Sequence, residues 1–227
     1  MNILAIDSGS EYLSLALQTR QGRSYILEQV GNKQSNHILA KIDELLVTNK
    51  LTVAEINLIA YNQGPGSFTG LRIGLSVAMG MAFGLNIKLV PIPAFALFAH
   101  GYQQEVLVAL DARLNQVYLA GLNATTLRYF LHPQVCDPDK IPYYPQCSLV
   151  GNGFRVYQSL LNAQLKPLVA ASYDYPTALS MLDIVNSARY MPITPDKADL
   201  LYLRNKVALN LTEQQQIKSQ AKLGYAN

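Results

Sequence analysis

MNILAIDSGSEYLSLALQTRQGRSYILEQV (residues 1–30) decides the fold. Its apolar residues fall into three short runs, at 3–6, 13–17 and 25–30, which read as strands. Asp7-Ser8-Gly9-Ser10 is a small-residue turn between the first two, and Arg20-Gln21-Gly22 is a hairpin turn between the second and third. Three strands joined by hairpins make an antiparallel meander, unlike the opening of a nucleotide-binding βαβ unit. Asp7 stands at the end of the first strand, in the first turn.

Outward from the meander, Ile38, Leu39, Ile42, Leu45 and Leu46 recur at helical spacing and predict a helix to about residue 48, capped by Ser35 or Asn36. A strand at 56–61 leads into the loop Asn62-Gln63-Gly64-Pro65-Gly66-Ser67 and a long helix over about 69–83. A further strand, 87–92, is expected to end at its prolines. The pattern then restarts, with strands at 105–110, 116–122 and 127–131 around the turn Asp111-Ala112-Arg113-Leu114-Asn115. Residues 132–147, with several prolines and both cysteines, read as an irregular connection. A short strand at 149–150, helices to about 161 and over 177–188, an extended Leu201-Tyr202-Leu203-Arg204 and a polar tail containing Gln214–Gln216 complete the chain. Strand meanders followed by helices, given twice, predict an α/β protein of two lobes with mixed sheets. The lobes are residues 1–102 and 103–227, the terminal segment packing back on the first lobe.

Composition narrows the function. Half of the 227 residues are hydrophobic and 15% are charged, enough for a large core and too apolar for a disordered chain. A net charge of +3 with scattered basic residues builds no nucleic-acid stripe, so tight nucleic-acid binding by this chain alone is not expected. Cys136 and Cys147 form no CxxC pair, which argues against a disulfide framework and a thiolate zinc site. The N-terminus reads as a strand and not as a signal peptide, and a cytoplasmic protein away from membranes is expected.

Two features invite chemistry. Gly64 and Gly66 flank Pro65 just before a helix, where backbone N–H groups can face an anion, but no Walker lysine follows. The other reading is a tight strand-to-helix turn capped by Ser67 or Thr69. The helix itself has apolar residues all around it, Arg72 being its one charge. Such a helix is covered on more than one side, either within its own lobe or by a partner. Gly70, Gly74 and Ala78 form a small-residue row that admits a close neighbour.

Ile3-Leu4-Ala5-Ile6-Asp7-Ser8 with Ser14-Leu15-Ala16-Leu17 resembles the phosphate-loop hairpin of actin-like ATPases. Together with Gly64-Pro65-Gly66-Ser67-Phe68-Thr69-Gly70-Leu71-Arg72-Ile73-Gly74, Asp111-Ala112-Arg113, Val117-Tyr118 and Tyr202-Leu203-Arg204-Asn205-Lys206-Val207-Ala208, it makes the chain resemble the TsaB (YeaZ) family from end to end, loosely over 123–195. The resemblance implies an actin-like (ASKHA, ribonuclease H-like) two-lobe fold. It also implies a non-catalytic scaffold subunit of the machinery that forms threonylcarbamoyl-adenosine at position 37 of tRNAs reading codons that begin with A. Its implied partners are the catalytic paralogue TsaD and the P-loop ATPase TsaE, with tRNA met only through the complex and a homodimer when alone. ATP or ADP would then sit at a junction of the assembled complex and not on this chain.

Asp7 and Asp111 occupy the places where an actin-like ATPase holds metal and phosphate, and a stand-alone ATPase or small-molecule kinase is the alternative reading. Equally, both are turn residues of the kind that bond their own backbone. Catalytic relatives carry a helical histidine pair for a metal. Here the residue four after His37 is Lys41, a cation that opposes a metal. The expected interface is His37, Lys41, Gly70, Arg72, Gly74, Val77, Ala78 and Met81, with no catalytic, cofactor or metal residues.

Overall fold

The computed structural model describes residues 1–165, 175 and 177–204. The meander forms as expected: β1 (Ile3–Asp7), β2 (Tyr12–Gln18) and β3 (Arg23–Gln29). Then come α1 (Gln34–Thr48), β4 (Leu58–Gly64), α2 (Phe68–Leu85), β5 (Lys88–Pro93) and α3 (Ala94–Ala99). The first sheet runs β3-β2-β1-β4-β5, with β2 antiparallel to both neighbours and β1, β4 and β5 parallel. The second sheet is built from β6 (Glu105–Asp111), β7 (Val117–Asn123), β8 (Tyr129–Cys136) and β9 (Ser148–Val150), in the order β8-β7-β6-β9. It repeats the first: β7 is antiparallel to β6, and β9 is parallel to it. Two short segments follow, α4 (Asn152–Val156) and α5 (Ala178–Asn186).

Both lead strands are apolar on each face because each face is covered. Ile3 and Ala5 of β1 join a central core with α3, α5 and Val106, Val108 and Leu110 of β6. Leu4 and Ile6 point the other way, into a core shared with α1 and α2. Leu107 and Ala109 face a third core under α4. The layers are therefore α1/α2, first sheet, α3/α5, second sheet and α4, which is the two-sheet actin-like arrangement.

The structure corrects several expectations. α3 went unread because Ala94-Phe95-Ala96-Leu97-Phe98-Ala99 is apolar throughout and carries no period; it lies buried between the sheets. β5 runs through Pro91 to Pro93 and β8 through Pro133 to Cys136, since both are edge strands, where a missing N–H costs no ladder bond. The α1 cap is Lys33, so Ser35 and Asn36 fall inside the first turn. Helix α4 stops at Val156 and a 3-10 turn over Gln158–Leu160 continues it. α5 packs on β1, β2 and β4, and its Ala178 N–H donates to Ser14 Oγ at 2.8 Å. Helix α5 thus packs on the first sheet, although it follows the second in sequence. The 205–208 part of the last motif and the polar tail at 214–216 lie outside the described residues.

Candidate functional site

A cavity of about 710 Å³ opens between the lobes, and Asp7 and Asp111 both line it. The two carboxylates are held alike. Asp7 Oδ1 accepts from the Gly9 N–H at 2.9 Å, and Asp111 Oδ1 from the Arg113 N–H at 2.8 Å. Each is a turn carboxylate bonded to the backbone two residues on. They differ in their other partners. Asp7 is buried and also accepts from Asn62 Nδ2 at 2.8 Å; burial pushes its pKa up, against the opposing pull of Asn62 and Gly9. Asp111 accepts from the Tyr157 hydroxyl at 2.7 Å and meets the Arg113 guanidinium at 3.2 Å. Burial, then the bond to Asp111, pushes Tyr157 up to about 12.

The glycine loop is occupied by the chain itself. The Ser67 N–H donates to the Gly9 carbonyl at 2.7 Å, and Ser8 Oγ donates to the Gly70 carbonyl at 2.8 Å. Ser67 caps α2, its Oγ accepting from the Gly70 N–H at 3.3 Å. A Cβ on Gly9 would meet Asn62 Nδ2 at 2.8 Å and Leu71 Cδ2 at 3.0 Å. A Cβ on Gly66 would meet the Gly9 carbonyl oxygen at 2.6 Å, so this loop glycine lets two backbones touch. Among the described residues no three His, Cys, Asp or Glu side chains converge as a metal site would need.

The expected interface residues divide three ways. Gly70, Gly74 and Ala78 face inward: a Cβ on Gly70 would enter the Ser8 carbonyl oxygen, one on Gly74 would enter Ser8 Oγ, and Ala78 is fully buried. The small-residue row does admit a close neighbour, but that neighbour is the β1–β2 turn of the same lobe. Spacing reports a close approach and is silent on what approaches. His37 and Lys41 lie on the flank of α1 that faces β3, where both meet Glu28, Lys41 Nζ at 2.9 Å and His37 Nδ1 at 3.7 Å. The position of a second helical imidazole therefore holds an ion-paired ammonium. Arg72, Val77 and Met81 remain at the surface, Arg72 exposed and the other two half-buried.

The outward face of α2 carries a second small row that sequence reasoning missed: Ser76, Gly80 and Gly84 are exposed, and nothing lies within 4 Å of a Cβ on either glycine. Phe83 (58% exposed), Phe68 (41%) and, across on α1, Leu39 (63%) stand around it. Between the helices runs a groove of about 410 Å³, lined by Ile38, Leu39, Phe68, Ile73, Ser76 and Val77 among others. By length and composition α2 is apolar enough to cross a bilayer, yet its inward row is locked into the lobe's core. Its two faces were inseparable by periodicity because both are small and apolar.

The family described as TsaD, tRNA N6-adenosine threonylcarbamoyltransferase, matches residues 27–152. A Haemophilus influenzae protein named tRNA threonylcarbamoyladenosine biosynthesis protein TsaB is 31% identical, over 91% of this chain and 95% of that protein. The Escherichia coli protein of the same name is 29% identical, over 92% and 96%. Among solved structures, a Pseudomonas aeruginosa protein described as similar to peptidase YeaZ superimposes with a TM-score of 0.78 at 25% identity, covering 89% of this chain and 99% of that one. YeaZ from the same organism gives 0.77 at 23% identity with the same coverage. With the transferase-like region spanning both helices and the curated relatives matched nearly end to end, this chain belongs to the TsaB (YeaZ) family.

Proposed function

We propose that this protein acts in the biosynthesis of threonylcarbamoyladenosine in tRNA as a scaffold subunit, holding a catalytic paralogue of the TsaD type against the outward face of α1 and α2. The observation that carries this reading is that face: Leu39, Phe68 and Phe83 are exposed around an open Ser76–Gly80–Gly84 row. Large apolar side chains exposed along one helix pair fit an interface, and small residues let a partner helix come close. The match to the transferase family covers both helices, so the paralogue brings an equivalent pair. Two equivalent faces can meet about a two-fold axis, and the free protein would pair with itself in the same way. A P-loop ATPase of the TsaE type joins the pair, nucleotide lies at a junction of the assembly, and tRNA is met through the complex in the cytoplasm.

The reading assigns the transfer chemistry to the partner. It is supported by the internal bonding of Asp7 and Asp111 and by a glycine loop filled by its own backbone. The shared cavity between the two carboxylates favours the second reading, an actin-like ATPase or kinase. Co-purification with the paralogue and ATP turnover decide between them. Scaffold function predicts loss of co-purification in Gly80→Arg and no turnover by the chain alone. Turnover by clean protein that vanishes in Asp7→Ala would overturn it.

A further inference from the structure

The segment Asp199–Arg204 runs across the mouth of the interlobe cavity and is anchored in both lobes. On the first lobe, the Tyr61 hydroxyl donates to the Asp199 carbonyl at 2.9 Å, Gln63 Nε2 donates to Asp199 Oδ1 at 2.9 Å, and the Leu201 N–H donates to the Gln63 carbonyl at 2.8 Å. The Tyr202 hydroxyl accepts from Arg72 Nε at 3.2 Å, and its ring lies 6.1 Å from that of Phe68. The Arg72 guanidinium in turn covers the Phe68 ring at 3.8 Å. On the second lobe, Arg204 Nη2 donates to Gln116 Oε1 at 2.8 Å and to the Arg113 carbonyl at 3.4 Å, in the β6–β7 turn that carries Asp111. Leu203, between these anchors, packs into the central core.

We infer that Asp199–Arg204 is a strap that sets the opening of the interlobe cavity. At the base the lobes are joined by α3, which is buried against strands of both sheets. At the mouth, the Asp7 and Asp111 turns stand on opposite lobes, and the strap is the described segment bonded to both sides. Phe68 lines the interlobe cavity and the α1/α2 groove alike. The strap's Tyr202 contact therefore ends at the wall the two cavities share, so a change at one is felt at the other. A strap of this kind is a two-ended device: cutting one anchor should loosen the other.

The test cuts the second-lobe end and reads the first. In hydrogen exchange, Arg204→Ala, which removes both second-lobe bonds, and Gln116→Ala, which removes one, should each accelerate exchange of the Leu201 amide, and the double variant should add nothing to Arg204→Ala. Spin labels on Lys33→Cys and Gln158→Cys, in a Cys136→Ala/Cys147→Ala background with unchanged circular dichroism, should give a broader and longer interlobe distance distribution when Arg204→Ala is added. A Leu201 amide and a distance distribution indifferent to both variants would overturn the strap. Acceleration confined to residues 203 and 204 would reduce it to local fraying and overturn it equally.

Discussion

The two lobes are built on one plan and finished differently. In each, a lead strand (β1 or β6) pairs antiparallel with the next strand and parallel with the fourth, and ends in an aspartate that accepts a backbone N–H two residues on. In each, a glycine lets the following helix touch the lead strand or its turn: Gly70 against the Ser8 carbonyl, Gly153 against the Ala109 carbonyl. The helices then part ways. α2 has 18 residues and, with α1, leaves an apolar outer face; α4 has five and closes its core with a 3-10 turn and Tyr157. A framework shared by both lobes is architecture, whereas surface added to one lobe is where a lobe-specific function belongs. On the proposed scaffold reading, the paired aspartates fall in the first class and the α1/α2 face in the second.

The largest effect expected is at the helix contacts both lobes share. Gly70→Val and Gly153→Val each force a side chain against backbone and should cost about 1–3 kcal/mol or more in chemical denaturation. Gly80→Ala, with open space around it, should gain up to about 1 kcal/mol from helix propensity. A tolerated Gly153→Val would break the equivalence of the lobes.

The aspartates sharpen the difference. Asp111→Asn weakens a charge-assisted bond to Tyr157 and an ion pair, and should lose about 1 kcal/mol. Asp7→Asn should go the other way. Burial raises the Asp7 pKa above 3.8, so the folded state binds a proton more tightly than the unfolded chain. Stability then falls as pH rises from 3.8 through the raised value, and ionised Asp7 opposes folding above it. At neutral pH the melting temperature of Asp7→Asn should exceed wild type, with a smaller margin in acid. A lower melting temperature would mean that Asp7 makes an ionic contact that burial conceals.

The smallest effect belongs to the junction of strap and α2. Arg72→Ala removes a guanidinium stacked on Phe68 and should cost about 0.5–1 kcal/mol. A calorimetric loss well beyond that would show that Tyr202 is held chiefly through Arg72.

The framework was legible in the sequence because its signals are local. The runs 3–6, 13–17 and 105–110 are short and bounded by turn residues, so the meander and its repeat could be read off. The turn bonding of Asp7 and Asp111 was legible for the same reason. What failed was direction. Gly70, Gly74 and Ala78 sit four apart, and so do Ser76, Gly80 and Gly84, and no local rule says which row meets β1. The return of α5 to the first sheet was hidden too, since it depends on Ser14 meeting Ala178 across 164 positions. Tyr202 and Arg204 were visible as a motif, but their anchors at Arg72 and Gln116 belong to the tertiary fold.

In the proposed assembly, α2 meets its own core on one small row and its partner on the other. Arginine placed on each row in turn tests it, with circular dichroism, light scattering and co-purification with the paralogous transferase read side by side. Ala78→Arg should unfold the first lobe, because that site is fully buried. Gly80→Arg should fold like wild type, run as a monomer and fail to hold the transferase. A folded Gly80→Arg that still pairs and still retains the transferase would contradict the account.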